Sequence, residues 1–260
     1  MFIMLAMFVT GVILGNLTVS GLKLALGFDF VSVYGNVISY PIMFVPSLIY
    51  ASVQSSRQRD LAPGNALDDV HFGRFGGMLM ALISIPAVIA AAYVVEPLVS
   101  LLPQMPAWLE EVMRQLLEKS PLWVTLISVS VLAPLLEEWL CRGIILRGLL
   151  ANKISPVSAI AVSSVFFAVL HVNPWQAVPA FLIGCLLGYV YFKTGSLKLT
   201  MLMHCVNNSA AVVFNKIPVL KEADTFLDVL NPCAYWTVYA VCLLVLAGSL
   251  LVFSRTGYRK

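Results

Sequence analysis

Residues 122–150 read LWVTLISVSVLAPLLEEWLCRGIILRGLL. The run is long enough to cross a bilayer, which takes about 20 mostly apolar residues. Its apolar positions do not alternate as those of a barrel strand would. It is therefore read as a helix, because a spanning segment must satisfy its own backbone. Glu137, Glu138 and Arg142 interrupt its middle. Ionisable residues at that depth are costly and by default mark a functional site.

The rest of the chain fits this reading. Of 260 residues, 60% are hydrophobic and 11% charged, whereas a soluble domain is about half apolar and about a quarter charged. Eight segments are apolar and long enough to be candidate spans: 2–26, 31–53, 77–101, 122–150, 156–171, 175–192, 199–214 and 235–253. The fifth and seventh are short and partly re-entrant candidates. The expected fold is all-α, a polytopic transmembrane helical bundle of about eight spans. Between the third and fourth, residues 103–120 place Trp108, Leu109, Val112, Met113, Leu116 and Leu117 at helical spacing opposite charges. That pattern suits an amphipathic helix lying in the interface. The first apolar run lacks a basic leader and a small-residue cleavage site, so it reads as a span and not as a signal peptide. The five cysteines are odd in number and form no CxxC, which favours reduced thiols over disulfides or a thiolate zinc site.

Eight spans put both termini on one side. If that side is the cytoplasm, most of the 16 lysines and arginines fall at or near it, among them Arg57, Arg59, Arg255, Arg259 and Lys260, as the positive-inside rule requires. An inner, plasma-membrane location follows as the expectation. The loop 54–75 is the most polar stretch and is expected at the surface. No basic cluster suits nucleic acid, so the expected partners are the lipid bilayer and a membrane-associated peptide or protein.

Helical phase separates the two glutamates. Glu138 and Arg142 are four apart and share a face, with the acid on the favourable N-terminal side. Glu137 points about 100° away and has no partner in its own helix. It is the better base, and Glu138 the better structural anchor. Pro134 sits just before them and, in an α-helix, removes the bond to the carbonyl of Ser130. Two further segments contribute polar side chains. His171 follows Phe167 by four residues, and His204 precedes Asn208 by four, with Asn207 pointing elsewhere. Water attack on an amide needs a base, here Glu137, and donors for the oxyanion, a role open to His204 and Asn208. His171 is placed to assist with the water or the leaving amine.

These three motifs, EExxxR, FxxxH and HxxxN in that order on separate segments, resemble the CPBP intramembrane proteases, which include the type II CAAX prenyl endopeptidases and the Abi-like proteins. The resemblance covers about 121–214. It implies that Glu137 activates water together with His171 and that His204 and Asn208 form the oxyanion hole. Phe167, Glu138 and Arg142 support the site. It divides the chain into N-terminal helices (1–120), a catalytic core (121–215) and a loop with a last helix (216–260). The family is often named a metalloprotease. Zinc on Glu137, His171 and His204, with one open position, would leave no base, because Glu138 is engaged by Arg142. No cofactor is therefore the preferred expectation. A proton-coupled transporter is the other class that such residues suit, but it usually shows repeated halves with paired broken helices, and the chain shows no such repeat. One geometric consequence is expected: for His171 to meet Glu137 and His204, the fifth helix must be short or tilted, with 172–175 dipping inward.

Overall fold

A computed structural model describes residues 2–59, 70–221, 223 and 225–256. The centre of the expected surface loop, 60–69, and the basic residues Arg259 and Lys260 lie outside the described residues, as do the side chains of Arg57, Arg59, Leu116 and Leu117. The described residues form helices joined by short connections: α1 (Phe2–Leu26), α2 (Phe28–Arg59), α3 (Gly77–Val99), α4 (Ala107–Glu118), α5 (Leu122–Ala151), α6 (Pro156–Val169), α7 (Pro174–Thr194), α8 (Leu197–Phe214) and α9 (Pro232–Ser254). A short turn, Pro218–Lys221, and a 3-10 turn, Phe226–Asp228, link the last two.

Six helices are long and apolar enough to cross a membrane: α1, α2, α3, α5, α7 and α9. The other two apolar segments read from the sequence are the shorter α6 and α8. At about 1.5 Å per residue, the 14 residues of α6 reach about 21 Å, against a hydrocarbon core of about 30 Å. In α8, Lys198, His204, Asn207 and Asn208 dilute the apolar face. Where the sequence suggested about eight spans, the described residues form six long apolar helices, the short α6 and the more polar α8, a count roughly in keeping with that expectation. The expected short fifth helix is present, and its end is built by the sequence. Val172 takes a positive φ of 61°. Asn173 then caps α7, its Oδ1 accepting from the Gln176 amide at 2.9 Å.

α5 lies at the centre, against α2, α6, α7 and α8; α3 packs on α7 and α8, and α9 covers α3. α1 and α2 form a hairpin turning at Gly27, whose φ of 88° suits glycine. The two helices approach so closely at Gly11 that a Cβ there would sit 1.8 Å from the Met43 carbonyl oxygen. Small residues allow such approaches in a bilayer, where packing and not hydrophobic burial drives association. The amphipathic helix is observed as α4. Its Leu109 is buried while Trp108 and Val112 are exposed, and Arg114 Nη2 pairs with Glu111 at 2.5 Å.

α5 is not a uniform α-helix. Two π-helical segments, Leu126–Leu132 and Trp139–Leu146, flank a short α stretch, Ala133–Glu138. π segments often accompany functional sites, and here they bracket the glutamate pair.

Candidate functional site

The centre of the site is a buried ion pair. Arg142 Nη1 donates to Glu138 Oε1 at 2.7 Å, and both side chains are 0% exposed. The other guanidinium arm, Nη2, donates to the Gly184 carbonyl on α7 at 2.8 Å. The guanidinium carbon lies 4.7 Å from the ring centre of Phe167. A buried pair of this kind leaves protons and lone pairs that need partners. Gly184 supplies one acceptor, and His204 from α8 supplies another contact, its Nδ1 lying 3.1 Å from Glu138 Oε1. Glu138 Oε2 and Arg142 Nε are buried with no hydrogen-bond partner. The spacing argument for Glu138 and Arg142 therefore holds in three dimensions.

Glu137 has no partner within α5, as its phase implied, but it is not solitary. Tyr40 of α2 donates its hydroxyl to Glu137 Oε1. Glu137 Oε2 is buried and accepts no hydrogen bond. It faces His204 Nε2 at 3.7 Å. His204 thus stands between the two carboxylates, one at each ring nitrogen. A carboxylate accepts, so Nδ1 carries a proton toward Glu138.

Phe167 organises the remaining ring. Its centroid lies 5.3 Å from that of His204 and 5.0 Å from that of His171, both edge-on. His171 Nδ1 donates to the Phe167 carbonyl at 2.9 Å, which leaves Nε2 with its lone pair in the neutral ring. His171 makes no hydrogen bond to Glu137; it joins the cluster through Phe167.

Asn208 is held by a backbone irregularity of α5. The Ala133 N–H bonds to the Ser128 carbonyl, five residues back. In that register the next bond would run from residue 134 to Val129. Pro134 has no N–H to give, so the orphaned carbonyl is that of Val129 and not that of Ser130. Asn208 Nδ2 donates to it at 2.8 Å. Asn207 Nδ2 contacts Asn208 Oδ1 at 3.3 Å. One amide hydrogen of Asn208 remains for a ligand.

The structure therefore gathers Glu137, Glu138, Arg142, Phe167 and His204 in direct contact, with His171 and Asn208 at its edges. Tyr40 was not legible in the sequence: a tyrosine in an apolar helix is unremarkable, and it lies 97 residues from its partner. Among the described residues, no three His, Cys, Asp or Glu side chains are grouped to hold a metal ion. Glu137 and His204 supply two facing donors, and no third joins them. The residues named for zinc thus do not fit it as placed here. Cys141 is fully buried beneath the pair, a poor position for a nucleophile.

The segment that carries these motifs matches the model of a family of membrane proteases, which are hydrolases. Residues 119–210 match the family model described as type II CAAX prenyl endopeptidase Rce1-like. The matched segment contains every motif residue from Glu137 to Asn208. No curated protein and no solved structure gave a match.

Proposed function

We propose that this protein hydrolyses a peptide bond near the C-terminus of a membrane-associated, prenylated substrate, with Glu137 as the base. The observation that carries the reading is that Glu137, unlike Glu138, has no arginine partner, while its buried Oε2 accepts no hydrogen bond and lies 3.7 Å from His204 Nε2. Glu137 takes a proton from water, and the water oxygen attacks the scissile carbonyl. His204, as the imidazolium, donates from Nε2 to the developing oxyanion, and Asn208 donates its second amide hydrogen. Such donors are worth about 3 kcal/mol each when preorganised. Collapse of the tetrahedral intermediate breaks the C–N bond, and the proton held by Glu137 passes to the leaving amine. His171 Nε2 holds the water through its lone pair. Glu138 and Arg142 fix His204 and the α5 backbone.

An apolar groove of about 500 Å³, lined by residues that include Leu98, Val165, Ala168, Val169 and Phe181, runs beside the α6 end that leads to His171. It suits an isoprenoid chain. In this reading 121–215 is the catalytic core, and both termini face the cytoplasm of the inner membrane, the side that the charge bias of the sequence favours.

The test uses purified protein in lipid nanodiscs and a peptide ending in a farnesylated Cys-aliphatic-aliphatic-X sequence. Mass spectrometry should find the released tripeptide, turnover should drop sharply for the unprenylated peptide, and a strong chelator should leave it unchanged. Uptake or release of solute from vesicles without any cleaved peptide would contradict the proposal in favour of a transporter.

A further inference from the structure

Glu137 has two oxygens in different circumstances. Oε1 accepts from Tyr40, while Oε2 is buried and bare of hydrogen bonds. The donor comes from α2, outside the matched segment 119–210. Its ring is fixed independently of that bond. It lies 5.5 Å from the ring of Phe44 and packs against the core that contains Met4, Phe8, Leu140 and Cys141. Phe44 in turn stacks edge-on with Phe8 of α1 at 5.3 Å. A chain of packed side chains therefore runs from the α1–α2 hairpin to one oxygen of the carboxylate.

We infer that Tyr40 is a positioning residue: its hydroxyl holds Glu137 by Oε1 and so presents Oε2, toward His204, as the single oxygen that takes the proton from water. The inference rests on the reading of Glu137 as base. The physical reason is rotational. A carboxylate with no fixed oxygen turns about its terminal torsion, which is broad and roughly two-fold, and spends part of its time with neither oxygen in line. One charge-assisted hydrogen bond is enough to fix it. The hairpin α1–α2 thereby becomes part of the catalytic unit and not merely a membrane anchor. α2 is also tied to the connection that leads into α5, Ser120 Oγ donating to the Val33 carbonyl at 2.8 Å.

The experiment compares wild type, Tyr40→Phe, Tyr34→Phe and Glu137→Gln on the farnesylated peptide in nanodiscs. Tyr34, on the same helix, lies against Trp123 and serves as the control. Tyr40→Phe keeps the ring and removes one oxygen. Its kcat should fall about ten- to a hundred-fold, the range that corresponds to a lost hydrogen bond to a charged group, with KM unchanged and Tyr34→Phe at wild-type turnover. A structural role alone would lower the amount of active enzyme and the thermal midpoint together. Wild-type kcat for Tyr40→Phe beside an inactive Glu137→Gln overturns the inference and leaves the base reading standing. Full turnover of Glu137→Gln overturns both. A second measurement needs no substrate: the thermal midpoints of Tyr40→Phe, Glu137→Leu and the double variant. The bond predicts that the double variant loses less than the sum of the two singles; strict additivity overturns the inference.

Discussion

Replacing Glu138 by glutamine tests whether the ion pair holds the centre of the bundle. The substitution keeps the side chain's size and one acceptor oxygen, so Arg142 and His204 still find an acceptor. It removes the negative charge that compensates a guanidinium with 0% exposure. Leaving one member of a buried pair uncompensated costs about 3–5 kcal/mol, and the retained acceptor puts Glu138→Gln near the lower figure, about 3 kcal/mol. At about 2–4 °C per kcal/mol for a chain of this size, the midpoint should fall by roughly 6–12 °C. The assay is thermal unfolding in detergent, followed by the fluorescence of the five tryptophans. Adding Arg142→Met removes the orphaned charge, and the double variant should recover part of the loss, since an apolar replacement of a whole pair is often near neutral. A Glu138→Gln protein that melts within about 2 °C of wild type would refute the reasoning, because the pair would then carry no net charge balance.

Two further substitutions address the scaffold. Pro134→Ala restores an N–H that competes with Asn208 for the Val129 carbonyl; kcat should fall, by up to the roughly hundred-fold that loss of one oxyanion donor costs, with the thermal midpoint unchanged or raised. Gly11→Leu drives a Cβ into the Met43 carbonyl, which lies 1.8 Å away. It should cost about 1–3 kcal/mol or more, read as a lower midpoint, and reduce turnover by shifting the helix that carries Tyr40.

How much of this was readable in the sequence follows from which interactions are local. The Glu138–Arg142 pair is set by a four-residue spacing within one helix, and it was legible. So was the short α6, expected if His171 was to reach the glutamates; the expected inward dip at 172–175 is not borne out by Val172, which is exposed. Tertiary choices were not legible. Spacing left Glu137 without a partner, and only the packing of α2 against α5 supplies Tyr40. The π registers of α5 were not legible in its apolar sequence, and they move the carbonyl freed by Pro134 from Ser130 to Val129. That one-residue shift is what anchors Asn208. His204 was read as an oxyanion donor, but its second attachment, to Glu138, depends on how α8 meets α5 and has no trace in either helix alone.

The central claim is that Glu137, and not Glu138, moves the proton. The most direct measurement is the turnover of Glu137→Gln on the farnesylated peptide, at a concentration of folded protein matched to wild type by its unfolding curve. The account predicts a wild-type-like midpoint with kcat reduced by at least about a hundred-fold. A Glu137→Gln enzyme that is equally folded and turns over at the wild-type rate would contradict it.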